Sequence, residues 1–102
     1  MSLHQSVAMS FPQLELHAIV HGRVQGVGFR AQAQVYAKKL KIFGIVRNCS
    51  NGSVEIYAQG EKNSLKAFLD LLRASFSIER IEVNYVPSKN SYVDFQIVHQ
   101  SA

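Results

Sequence analysis

His21-Gly22-Arg23-Val24-Gln25-Gly26-Val27-Gly28-Phe29-Arg30 divides a run that alternates from a run with helical spacing, and it does so with three glycines in seven residues. Upstream, Leu14, Leu16, Ala18 and Val20 fall on one side and Glu15, His17, Ile19 and His21 on the other, which is the period of a half-buried strand. Downstream, Phe29, Ala33, Tyr36, Ala37 and Leu40 recur as one stripe of a helix, while Gln32, Gln34, Lys38, Lys39 and Lys41 take the opposite side. Between them the glycines free the backbone for positive φ, so successive N–H groups can face one concavity. A helix starting near Gly28 adds its own unbonded N–H groups and the positive end of its dipole. Such a loop suits an anion, and Arg30 in the first turn brings a planar fork of donors. A tight strand-to-helix connection also needs glycines, so the pattern alone leaves both readings open.

Working outward, the helix length returns the chain for a second strand, roughly Phe43 to Cys49, beside the first or one place over, with Gly44 ending the connection. Asn51-Gly52 then signals a hairpin, because both residue types tolerate positive φ. A third strand follows over about Ser53 to Gln59, with Val54, Ile56 and Ala58 on one face, and Gly60 punctuates it. Asn63 or Ser64 is positioned to cap a second helix whose buried stripe is Leu65, Phe68, Leu69 and Leu72. Ile81, Val83 and Tyr85 alternate with Arg80, Glu82 and Asn84 in a fourth strand, and Pro87 to Ser91 makes a turn. Tyr92 to Val98 supplies a fifth strand with Val93, Phe95 and Ile97 inward. The order predicts an α+β fold, a ferredoxin-like βαββαβ sandwich with an added C-terminal strand, two helices covering one face of a mostly antiparallel five-stranded sheet. Residues 1–12 show neither period and read as a flexible N-terminal extension to a domain spanning 13–102.

At 102 residues and 47% hydrophobic, the chain suits a single domain with its own core. The net charge of +4 is a mild excess that fits an anionic ligand and equally fits ordinary solubility. Cys49 stands alone, which rules out an internal disulfide and suits a reducing compartment. No run of about 18 apolar residues is present, and the start lacks the basic and apolar segments of a secretory signal. The expectation is a soluble, cytoplasmic monomer with no membrane or nucleic-acid partner.

The seven carboxylates, Glu15, Glu55, Glu61, Asp70, Glu79, Glu82 and Asp94, all lie outside the glycine loop and the Asn48 turn, which disfavours a carboxylate pair or a magnesium cage there. His4, His17, His21 and His99 have no metal-ligand spacing among themselves or with Cys49, so no zinc site is expected. His21 reads as a strand-end histidine in solvent, and Cys49 as an inert turn residue. Gly26-Val27-Gly28-Phe29-Arg30-Ala31 formally matches a dinucleotide fingerprint, but no acidic residue follows at the required distance and no second βαβ half exists. An RNA-recognition module shares the element order, yet its stacking aromatics belong on central strands, where only Tyr57 stands. Asn48 ends a strand that should neighbour the glycine loop. Its amide can hold a water in line with a bound phosphorus while Arg30 holds the phosphoryl oxygens, or it can simply close the turn.

In these residues the chain resembles the acylphosphatase family, through Gly22-Arg23-Val24-Gln25-Gly26-Val27-Gly28-Phe29-Arg30 and Gly44-Ile45-Val46-Arg47-Asn48 with Asn51-Gly52-Ser53-Val54-Glu55. The likeness runs from Leu14 to Val98 and includes the interval of 18 residues from Arg30 to Asn48. It implies hydrolysis of carboxyl-phosphate anhydrides to a carboxylate and inorganic phosphate without metal or cofactor. By position, Arg30 and the amides of Gln25, Gly26, Val27, Gly28 and Phe29 would bind the phosphate, and Asn48 would orient the attacking water. Without a carboxylate base, the substrate's own phosphate oxygen is the expected proton acceptor. Ile45 stands where many relatives carry Trp, and Cys49 where Thr is common, removing a hydroxyl that helps place the asparagine. Similar domains open hydrogenase-maturation carbamoyltransferases, which keeps carbamoyl phosphate as an alternative substrate, and a phosphate-binding module without turnover is the other alternative. The motifs address the phosphate and leave the acyl group unspecified.

Overall fold

The computed structural model describes residues 13–99, so the expected extension over 1–12 lies outside the described residues. The elements run β1 (Gln13–Arg23), α1 (Phe29–Lys39), β2 (Phe43–Asn48), β3 (Val54–Glu61), α2 (Lys62–Ser75), β4 (Ser77–Pro87) and β5 (Phe95–Val98). One five-stranded sheet holds them in the order β4-β1-β3-β2-β5. β1 is antiparallel to β3 and β4, β2 is antiparallel to β3, and β2 is parallel to β5. This is the ferredoxin-like βαββαβ order with a fifth strand added at the β2 edge. Of the two positions left open for β2, it takes the one a place over, and β3 fills the gap by folding back from it.

Alternation decides which face of the sheet is buried. Leu16, Ala18 and Val20 of β1 and Val54, Ile56 and Ala58 of β3 are fully covered, meeting Phe29, Ala33 and Ala37 of α1 and Leu65, Phe68, Leu69 and Leu72 of α2. Burying such side chains contributes about 1.5–3 kcal/mol each for the larger ones before chain entropy is subtracted. Phe68 sets its ring edge-on to Phe95 at 5.9 Å, which seats β5 in the same core. Gly44 lies inside β2 rather than before it. A Cβ there would come within 1.8 Å of the Tyr57 carbonyl oxygen, so only glycine lets β2 lie this close to β3.

Four local expectations change. The second helix begins at Lys62 directly from an extended Glu61, with no side-chain cap from Asn63 or Ser64, because β3 runs into the helix without a loop. Gly60 is therefore a buried strand residue against Ile42. Val83 and Tyr85 are more than one-third exposed, since β4 is an edge strand at the border of the helical cover. Val93 is 87% exposed, because β5 starts only at Phe95 and the residues before it form a loop. In the β2–β3 turn, Gly52 alone takes positive φ, while Asn51 Oδ1 accepts from the Ser53 amide at 3.0 Å and the Ser53 hydroxyl at 2.6 Å. The asparagine thus acts through its side chain, as in an Asx turn.

Candidate active site

β1 delivers the chain to the glycine loop at one end of the sheet, and Gly28 caps α1 with φ +81, a backbone state that disfavours any side chain. Gln32 donates to the Gly28 carbonyl at 3.1 Å, the first bond of the helix, whereas the amides from Val24 to Ala31 donate to no backbone carbonyl among the described residues. No acidic residue occupies the first turn. Arg30 does, although a cation at a helix N-terminus opposes the dipole. It has no ion-pair partner among the described residues, while Arg47, Arg73 and Arg80 each have one. A bare arginine beside unused amides is a concentration of positive potential that an anion relieves.

Asn48 closes this arrangement from the end of β2. Arg30, Asn48, Gly26, Gly28 and Phe29 line one cleft of about 180 Å³ together with Val24, Ala31, Ile97 and His99. The Asn48 Oδ1 atom is buried and accepts no hydrogen bond. An unpaired buried acceptor typically costs about 1–3 kcal/mol, so Asn48, a residue lining the cleft, keeps hydrogen-bonding capacity that the described residues leave unused. Gln25 and Val27 belong to the loop but do not line the cleft. Val27 projects to solvent, and the Gln25 side chain donates to the carbonyls of Cys49 at 2.8 Å and Ser53 at 2.7 Å. That pair of bonds ties the glycine loop to the turn following Asn48, so the two motifs are held as one body.

From the sequence His99 reads only as a histidine without metal-ligand spacing, whereas the structure sets it in the cleft. It directly follows β5, whose parallel pairing with β2 brings it to the same cleft as Asn48. His21, expected in solvent, bonds instead to Glu82 on the uncovered sheet face, its side chain 19% exposed. Ile45 pairs with Tyr57 on that same face, so the aromatic-to-aliphatic departure there lies outside the cleft.

The uncovered face carries a second polar group of residues. Arg47 donates to Glu55 through Nε at 2.8 Å, and His17 Nε2 meets the other Glu55 oxygen at 2.7 Å while stacking on Tyr57. Burial pushes the Glu55 carboxyl up, but the hydrogen bonds from His17 and Arg47 and the Arg47 charge outweigh it and hold the carboxyl below its ordinary range. The same hydrogen bond and charge raise the Arg47 guanidinium. Among the described residues no group of three His, Cys, Asp or Glu side chains is arranged to hold a metal, and no helix is long and apolar enough to cross a membrane.

Comparison with known proteins converges on one family. The acylphosphatase family model matches residues 16–97. An acylphosphatase of Dehalococcoides mccartyi is 40% identical over 88 residues, covering 82% of this chain and 97% of the relative. The crystal structure of acylphosphatase from Bacillus subtilis superposes with a TM-score of 0.79 at 41% identity, covering 83% of this chain and 98% of that one. A full-length HypF, in a phosphate- and nucleotide-bound form, matches with a TM-score of 0.74 at 38% identity, covering 85% of this chain but 12% of HypF. With the family model spanning most of its length and whole relatives at this identity, the chain belongs to the acylphosphatase family.

Proposed function

We propose that the cleft hydrolyses acyl phosphates to a carboxylate and inorganic phosphate, with Arg30 and the amides of Gln25 to Phe29 holding the phosphoryl oxygens and Asn48 orienting the attacking water. The observation that carries this reading is the unpartnered Oδ1 of Asn48, a residue that lines the same cleft as Arg30, which itself has no ion-pair partner among the described residues. One group awaits a donor and the other an anion, which is what a water and a phosphoryl group supply. An acyl phosphate has a carboxylate leaving group that departs without protonation, so positioning and charge stabilisation carry much of the acceleration. The lone free Cys49 supports a reducing, cytoplasmic setting.

Hydrolysis of benzoyl phosphate, followed by ultraviolet absorbance in excess chelator with a phosphate monoester as control, tests the assignment. Turnover of the acyl phosphate alone, lost in a folded Arg30→Ala variant, is the expected outcome. A folded parent that binds phosphate without turnover would falsify the enzymatic reading. The likeness to HypF favours one competing substrate, carbamoyl phosphate, and a kcat/KM for it well above that for benzoyl phosphate would move the assignment there.

A further inference from the structure

Among the described residues, His17 bonds to Glu55 and His21 to Glu82, so both imidazoles are committed to a carboxylate. His99 has no ion-pair partner among the described residues, is exposed, and lines the cleft. The strand before it is anchored. Phe95 is buried against Phe68, and its carbonyl accepts a hydrogen bond of 2.8 Å from Gln34 of α1. Ile97, paired with Val46, and His99 two residues on both line the cleft. At about 180 Å³ the cleft keeps a small tetrahedral anion close to each side chain that lines it.

Arg30 and His99 are the ionisable groups among the residues lining the cleft, and both are bases. Val24, Gly26 and Gly28 of the glycine loop, Phe29 and Ala31 of α1, Asn48 of β2 and Ile97 of β5 carry no titratable side chain. Arg47, opposite Val98 in the ladder, belongs to the uncovered face and is consumed by Glu55. A protonated His99 therefore has a neighbouring cation and no carboxylate in the cleft to pair with. An anion supplies the missing partner. We infer, on the reading of this cleft as a phosphoryl site, that His99 is its second cationic ligand: the imidazolium donates to a phosphoryl oxygen beside Arg30, so the cleft holds tetrahedral dianions more tightly in acid.

The sign follows from which form of the ring gains a partner. Imidazole changes charge between about pH 5 and 8, and only its charged form attracts the anion, so affinity is highest at the acid end and falls as pH rises. Linkage makes the effect reciprocal, and binding in the middle of that range takes up a proton. Because His99 is exposed, solvent screens the contact, and the expected gain is about fivefold in affinity. The arginine keeps its charge throughout, which leaves Arg30 as the permanent anchor and His99 as the adjustable one. Held this way, an anionic product leaves the cleft more slowly in acid.

Sulfate is the probe, because it stays a dianion across this range whereas phosphate changes its own charge. Its affinity is measured by isothermal titration between about pH 5 and 8 in the parent, His99→Gln and His99→Lys, with thermal melts confirming folding. The parent should bind about fivefold more tightly at the acid end, His99→Gln should be weak at every pH, and His99→Lys should be tight at every pH. Titrations in buffers of different ionisation enthalpy should show proton uptake in the parent that both variants lose. Sulfate affinities that follow the same pH course in parent and His99→Gln overturn the inference, and so does a parent that binds no sulfate. Benzoyl phosphate turnover separates this from the hydrolase reading. An inactive parent whose sulfate binding still depends on His99 strikes the hydrolase reading, whereas an active parent with an indifferent His99→Gln strikes His99 alone.

Discussion

The cleft and the uncovered face of the sheet each bring together an arginine, an acceptor oxygen and a histidine, and they treat them in opposite ways. On the uncovered face Arg47, Glu55 and His17 consume one another's hydrogen-bonding capacity. In the cleft Arg30 has no ion-pair partner among the described residues, Asn48 Oδ1 has no donor, and the loop amides reach no carbonyl. The residues of the satisfied group pin β1, β3 and β2 in register behind the site. Those of the unsatisfied group hold capacity in reserve for a ligand. What distinguishes structure from site here is therefore completeness of pairing, and charge or residue type alone does not.

Breaking each side of that comparison should give separable effects. Arg30→Ala should lower kcat/KM by about 10³-fold and weaken phosphate binding while leaving the melting temperature nearly unchanged, because the side chain has no ion-pair partner among the described residues to lose. Arg30→Lys should recover little, since a point charge does not replace a two-pronged contact. Isothermal titration with inorganic phosphate and thermal melts check both. Asn48→Ala should lower kcat on the order of 10²-fold and spare phosphate affinity, and it should not destabilise the fold, because it removes an acceptor that was already unpaired. Equal losses of phosphate affinity in Asn48→Ala and Arg30→Ala would merge the two roles.

Glu55→Gln probes the satisfied group, with a loss of about 1–3 kcal/mol in denaturant unfolding and activity within a few-fold of the parent. Its pH signature sharpens the contrast. Because the Glu55 carboxyl is held below its ordinary range in the folded protein, its contribution is present above the unfolded value of about 4.3 and is lost as pH falls through the lower folded value. The parent should lose stability on acidification over that window, and Glu55→Gln should show a shallower decline. The smallest effect belongs to Cys49→Thr. Cys49 holds the turn through its backbone, accepting from Gln25 and donating to Ser53, so a change of its side chain should alter kcat less than about threefold and stability within about 0.5 kcal/mol.

Much of this was legible from residue order. The glycine loop and helical stripe placed Arg30 at a helix start, and alternation identified the buried faces of β1 and β3, because each element's period reports which side meets the core. The ends of elements were less legible. Whether β3 ran straight into α2, and whether Val93 belonged to β5, depended on neighbours distant in the chain. Edge position was equally hidden, so the exposure of Val83 and Tyr85 did not follow from their alternation.

By itself the sequence determined the fold class and the two motifs, which rest on local periodicity and glycine-dependent backbone freedom, and it offered Arg30 and Asn48 as candidates. Only the tertiary structure decided that Gln25 straps the loop to the Asn48 turn, that Glu55 and Arg47 close on each other, and that His99 joins the cleft. These last relations depend on strand register and parallel pairing, and register is set when separate elements share one core, so no single stretch of the chain contains it.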